Sequence, residues 1–448
     1  MAQRITLSAA TLLLLLAANV NAHRINVHAR AEPTTEAEMS AILGDAECTP
    51  YTYQPVVDAL NKKEFPTPWE LAKDVQNDPE GLAKFNSFSA NIPDIKPKAR
   101  SAALNSIVAD SSGQGTNGVA DANIQYDQAA DPDCWWTRTQ CLTPKHPGVD
   151  ADIAEVPEPK TLGYGFDDGP ACNHNAFYNY LASKKQKATM FYIGSNVMYN
   201  PLQAQRAVAD GHEICVHTWS HAVLTALSNE QVFAELWYSL KAIKLVTGYT
   251  PTCMRPPTGD VDDRVRFIAQ QLGLTNVMWK TDSFDWAAAD HSQGVDEAKV
   301  QENYDSLIAA VKNGDYNDHG AIFLTHELSN YTMQTAVTNY PKLAAVFDHI
   351  VPVGVAFNKT QPYVETGFNL PSFAAYIGGA TTADPSASAS AASTSPSGSS
   401  SNNANTGNTH ANANSTTNST TGDSAGTRAR IHLPVAALAV LAAVAFTL

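Results

Sequence analysis

Between residues 161 and 357, seven short apolar runs rich in β-branched or aromatic residues alternate with longer segments of helical spacing. The runs are 161–166, 188–193, 213–217, 252–255, 276–281, 321–325 and 350–357. Helical periodicity marks 230–246, 262–272 and 296–312, and Gly211, Gly248, Gly273 and Gly314 stand where a helix ends in a left-handed residue. Strands separated by helices need crossover connections, so they pair in parallel with both faces of the sheet covered. Repetition to seven units predicts closure into a distorted (β/α)7 TIM-like barrel rather than an open doubly wound sheet. Reacting groups in such a barrel stand at the C-terminal ends of the strands.

Five of the seven runs end in a segment that carries chemistry. In chain order these are Gly165-Phe166-Asp167-Asp168-Gly169-Pro170, His217-Thr218-Trp219-Ser220-His221, Arg255-Pro256-Pro257, Asp282-Ser283-Phe284-Asp285-Trp286 and Leu324-Thr325-His326. Each has an ordinary reading alone: Asp-Asp-Gly-Pro as a turn, His-x-x-x-His as a solvated helix face, Arg-Pro-Pro and Asp-Trp as loop and core-edge residues. Together they supply what metal-assisted hydrolysis of an amide or ester requires, an open N,N,O metal site with a base and an acid beside it. Runs 188–193 and 350–357 carry no such segment and are expected to be scaffold.

With all five segments present in order, residues from about 160 to about 369 resemble the polysaccharide deacetylase domain of carbohydrate esterase family 4, and the chain as a whole is similar to its fungal members. The resemblance implies removal of acetyl from N-acetylglucosamine units of chitin, with one divalent metal ion, Zn2+ in the first place and Co2+ as the alternative. It assigns Asp168, His217 and His221 as metal ligands and Asp167 as general base. Arg255 would keep Asp167 ionised, and the Thr258 N–H would help hold the oxyanion. His326, oriented by Asp285, would be the general acid, while Leu324 and Trp286 would wall the pocket for the acetyl methyl. Gly165, Thr258 and Glu327 depart from the usual family pattern and put subsite shape and chain-length preference in question.

The flanks predict export. Residues 1–22 carry Arg4, a Leu-rich run and a small-residue end, the pattern of a cleaved signal peptide. Residues 23–158 form an N-terminal extension expected to pack on the catalytic domain, 159–378; its Trp135-Trp136 pair reads as packing before sugar stacking. Residues 379–430 are rich in Ser, Thr, Ala, Asn and Gly and predict a disordered stalk. Residues 431–448 are an apolar tail that, with small residues before it, predicts a glycosylphosphatidylinositol signal with attachment within Asn418 to Ser424. Sequons at Asn330, Asn358, Asn414 and Asn418 fit a secretory route to the plasma membrane and wall.

Six cysteines, Cys48, Cys134, Cys141, Cys172, Cys215 and Cys253, predict disulfides in an exported chain, with the pairing open. A net charge of −15, from 44 acidic and 29 basic residues, offers no basic patch and excludes a nucleic-acid partner. Two functions from different classes fit the chain: a hydrolase that deacetylates chitin at the cell surface, and a wall protein that binds chitin without turning it over. Base and acid in one chain favour the hydrolase, since a binding module has no use for both.

Overall fold

Short apolar stretches buried on both faces build the central structure, as parallel strands under helices must. The computed structural model describes residues 31–98, 124–289 and 294–380. The leader at 1–22, the stalk, the sequons Asn414 and Asn418, the attachment region Asn418 to Ser424 and the apolar tail 431–448 lie outside the described residues. In chain order the strands are β1 (Glu155–Val156), β2 (Thr161–Gly163), β3 (Gly165–Gly169), β4 (Thr189–Tyr192), β5 (Glu213–Val216), β6 (Cys253–Met254), β7 (Thr275–Asn276), β8 (Thr281–Asp282), β9 (Gly320–Leu324) and β10 (His349–Val351).

One parallel sheet runs β3-β4-β5-β6-β7, and a second joins β10, β2, β9 and β8 in parallel, with β1 antiparallel on β9. Because β2 and β3 are nearly continuous and Asp167 bridges to His326 beyond β9, the parallel pairings follow one another from β8 through β9, β2/β3, β4, β5 and β6 to β7. The two ends of this series, β7 and β8, belong to one stretch of chain. Ile153, just before β1, bridges Val277 in that stretch, so residues from the N-terminal side fill the seam. Phe166, Met190, Phe191, Ile214, Val216, Met254 and Ile322 of these strands are all buried.

Two of the predicted runs change character. Residues 276–281 form no single strand: β7 and β8 flank a middle whose strand pairing is the isolated bridge from Val277 to Ile153. The run 350–357 is strand only as far as Val351. Pro352, which lacks an N–H for a ladder, then opens a short helix, Val353–Ala356. The predicted helices appear as Asn229–Thr247, Asp263–Gln271 and Glu297–Asn313. Ser228 caps the first in a reciprocal box with Gln231 and Gly248 ends it at φ 83°; Asp296 caps the third and Gly314 ends it at φ 94°.

The described part of the extension packs on the first of these helices and on the helix Asn175–Ser183. Asn175 donates to the Met39 and Ile42 carbonyls at 2.9 and 2.8 Å, and the Ala72 N–H donates to Glu235 at 2.8 Å. The six cysteines pair as Cys48–Cys172, Cys134–Cys141 and Cys215–Cys253. Each bridge has at least one end within a few residues of a predicted site segment or, for Cys134–Cys141, beside Trp135-Trp136. Among the described residues no helix is long and apolar enough to cross a membrane.

Candidate active site and metal centre

Adjacent residues of a regular strand face opposite ways, so two neighbouring carboxylates serve one site only if the strand is broken. In β3 the break is a bulge. Asp167 pairs with Phe191 and Gly169 with Tyr192, leaving Asp168 unpaired at φ 74°. Both carboxylates then reach the same imidazole: His217 Nε2 is 3.4 Å from Asp168 Oδ1 and 3.8 Å from Asp167 Oδ2. Gly165, the first residue of β3, has no room for a side chain, since a Cβ would lie 2.9 Å from the Thr189 carbonyl oxygen.

His217 and His221 come from an irregular loop after β5, not from a helix, with Thr218 at φ 64° and His221 at φ 57°. Their rings stand 5.0 Å apart. The Arg255 carbonyl, 2.7 Å from His217 Nδ1, can only accept, which puts the proton on Nδ1 and leaves the Nε2 lone pair turned toward Asp168. His221 Nε2 lies 3.3 Å from Asp168 Oδ1. One donor atom from each of Asp168, His217 and His221 falls within 4.8 Å of the others.

These residues fit a divalent cation. Asp168 Oδ1 is buried with no hydrogen-bond donor of its own, and two imidazoles with one carboxylate form the open donor set of a catalytic metal site. Burial would raise the Asp168 carboxyl, but His221, His217 and His326 outweigh it and hold the group well below the usual carboxylate range. Burial pushes His221 down to about 4, which keeps its ring neutral and ligand-competent at neutral pH. Two other clusters of suitable residue types, around Cys134–Cys141 and Cys215–Cys253, have their sulfurs tied up in disulfides.

Arg255 is wholly buried, its guanidinium stacked 3.9 Å from the Phe191 ring centre. It donates from Nη1 to Asp167 Oδ1 at 2.6 Å and from Nε to the Val277 carbonyl at 3.1 Å. Only Oδ2 of Asp167 is left facing the imidazoles. His326 is joined to the same strand end by its backbone bridge to Asp167, and its Nδ1 meets Asp285 Oδ1 at 2.7 Å. Burial alone would lower His326; Asp285 reverses this, with Asp168 and Asp167 adding to it, and raises the imidazole to about 10. Thr258 sits in a tight turn at φ 57°, and its N–H donates to no backbone carbonyl among the described residues. Leu324 is buried at the end of β9, and Trp286 is partly exposed one residue beyond Asp285.

Glu327, one of the departures from the family pattern, is fully buried. Its carboxylate meets the Ala171 N–H at 2.9 Å, His174 Nδ1 at 2.7 Å and the Tyr178 hydroxyl at 2.8 Å, tying the loop after Asp168 to His326 from behind. Two supports escaped the sequence reading. Asn196 donates to the Asp168 carbonyl at 2.7 Å and so holds the bulge; nothing in its local pattern announces this. Asp260, two residues after Thr258, receives donors from Trp135, Thr137 and Thr225, and the motif Arg-Pro-Pro stops short of it. Asn330 and Asn358 are both exposed, as a glycosylation acceptor must be.

Residues 154–277 match the family model described as polysaccharide deacetylase. The chain is 47% identical over 361 residues to chitin deacetylase 2 of Cryptococcus neoformans var. neoformans serotype D (strain B-3501A), covering 80% of this chain and 75% of that one. It is 43% identical over 333 residues to the chitin deacetylase of Amylomyces rouxii, covering 73% and 74%. The solved chitin deacetylase from the fungal pathogen Colletotrichum lindemuthianum is similar at 21% identity and a TM-score of 0.41, over 46% of this chain and 91% of that one.

Proposed function

The chain belongs to the polysaccharide deacetylase family, and from that premise we propose that it hydrolyses the N-acetyl groups of N-acetylglucosamine residues in chitin, releasing acetate and leaving chitosan. The observation that carries this reading is the convergence at one strand end of Asp167, held by Arg255, with His326, held by Asp285, beside the three candidate ligands.

Asp168, His217 and His221 would hold the ion, with zinc as the proposed metal. Bound there, a divalent cation supplies Lewis acidity toward the acetyl carbonyl and toward water. Asp167 Oδ2 takes the proton of the attacking water, because Oδ1 is occupied by Arg255 and Oδ2 faces the imidazoles. The Thr258 N–H donates to the oxyanion as it develops. His326, protonated at neutral pH through Asp285, gives its Nε2 proton to the departing amine nitrogen, which would otherwise leave as a strongly basic anion. Leu324 and Trp286 enclose the acetyl methyl.

The reading extends to place. Three disulfides suit an oxidising compartment. The leader at 1–22, the stalk and the apolar tail support display on the outer face of the plasma membrane through a lipid attached within Asn418 to Ser424, with access to the wall.

Acetate release from chitin oligomers is the test. It is expected to be lost on chelation and restored by zinc. Oligomers bound by the metal-loaded protein with no acetate released would establish the binding-only alternative instead.

A further inference from the structure

Three consecutive side chains of the extension, Trp135, Trp136 and Thr137, engage the turn that carries Thr258, although they precede residue 154, where the family match begins. Trp135 Nε1 and Thr137 Oγ1 donate to Asp260 Oδ1 at 2.9 and 2.7 Å, while the N–H and hydroxyl of Thr225 donate to Oδ2 at 2.9 and 2.6 Å. The Trp136 ring lies so close to Gly259 that a Cβ there would come within 2.3 Å of it. On its other side Trp136 meets Trp279 at 4.8 Å between ring centres, and its N–H donates to the Val261 carbonyl at 3.0 Å. The Cys134–Cys141 bridge and the bond from the Trp135 N–H to Asp131 at 3.2 Å fix the segment itself.

What this contact holds is a strained turn. Thr258, a β-branched residue, stands at φ 57°, a left-handed conformation such residues adopt only when their surroundings over-determine it. Released, the residue would relax toward negative φ and the peptide carrying its N–H would swing.

We propose that Trp135, Trp136 and Thr137 are positioning residues for the reaction: through Gly259 and Asp260 they keep the 256–260 turn in the form that aims the Thr258 N–H at the oxyanion. The proposal rests on the oxyanion role given to Thr258 above. It assigns this part of the extension a task in turnover, where Trp135-Trp136 otherwise reads as packing. A donor aimed only at developing charge acts on kcat and leaves ground-state binding alone.

Three variants test it on zinc-loaded enzyme, with kcat and KM for acetate release from a chitin pentamer and zinc content measured on the same samples. Trp136→Ala empties the space beside Gly259, Thr137→Val removes one donor to Asp260 at nearly constant shape, and Trp136→Phe keeps a ring in place. Losing one oxyanion donor outright costs a factor of about 100 to 1,000, so partial misaiming should lower kcat about 10- to 100-fold in Trp136→Ala and about threefold or more in Thr137→Val. KM should stay within about twofold, zinc content should be unchanged, and Trp136→Phe should recover most of the rate. Unchanged kcat in the folded variants would overturn the proposal. So would a loss confined to KM, which would make Trp136 a substrate contact, or a loss that tracks zinc content. If Trp136→Ala does not fold, Thr137→Val decides by the same criteria. A wild-type enzyme that releases no acetate would instead sink the functional reading beneath it.

Discussion

Replacing Arg255 by Met should destabilise the protein severely, and most of that loss should vanish once Asp167 is neutralised as well. The guanidinium and the Asp167 carboxylate are 2.6 Å apart with side chains 0% and 3% exposed, so neither ion has water to fall back on. Removing one partner of such a pair costs about 3–5 kcal/mol, because the other is left as an uncompensated buried charge. The lost bond from Nε to the Val277 carbonyl adds about 1 kcal/mol. Met retains a flexible apolar stem against Phe191, so little of the cost comes from lost packing. Arg255→Met should therefore lose about 4–6 kcal/mol in total. Asp167→Asn strands the guanidinium instead, though Asn can still accept one bond, and about 3 kcal/mol is expected. The double variant buries no lone ion, so its cost should fall short of the sum of the singles by about 2–3 kcal/mol. Urea denaturation of the metal-loaded, disulfide-intact protein measures all four corners of the cycle. Costs additive within about 0.5 kcal/mol, or a cost below about 1 kcal/mol for Arg255→Met, would refute the claim that these two charges depend on each other.

Asp167→Asn should keep its zinc and lose turnover by a factor of about 100 to 10,000, whereas His217→Ala should lose both; metal analysis beside acetate release separates them, and near-wild-type turnover in Asp167→Asn would move the base elsewhere. His326 stands near 10, above the imidazole's ordinary value of about 6.5, so the stability of its pair with Asp285 is fully present below about 6.5 and is lost as pH rises through 10. Activity should accordingly decline on the alkaline side, and Asp285→Asn should shift that limb of the kcat profile down by more than about one pH unit; an unmoved limb would give the acid role to another group. The Cys215–Cys253 bridge closes a span of 38 residues, for which chain entropy gives about 4 kcal/mol. The double Ser variant should show a clearly lower urea midpoint, and an unchanged midpoint would mean that packing around β5 and β6 alone holds the strands together.

Much of the site was legible because its chemistry is carried by residue types that cannot be substituted freely. Asp167, Asp168, His217, His221, Arg255, Asp285 and His326 sit in short segments at strand ends, and the structure brings them together there. Helices with their own signals were readable as well: Ser228 and Gln231 announce one start, Gly248 and Gly314 announce ends, and these are local backbone requirements. The misread stretches are those where local preference lost to context. Residues 276–281 look like one strand because they are apolar, yet their neighbours on either side are different strands. Residues 350–357 are apolar throughout and reveal no strand-to-helix change except at Pro352. Nothing in the order of residues says that Glu327 turns inward onto His174 and Tyr178.

Residue identity and order alone determined the inventory of donors, acids and bases, the alternation that demands parallel pairing, and the even number of cysteines. These are covalent properties or depend on interactions a few residues long. Tertiary structure decided how the inventory is aimed. The bulge at Asp168 turns two adjacent carboxylates to one side, left-handed residues bring His217 and His221 together without a helix, and a tryptophan pair more than a hundred residues away closes on the turn at Thr258. Such placements depend on which distant surfaces fill the same space, and no local pattern encodes that.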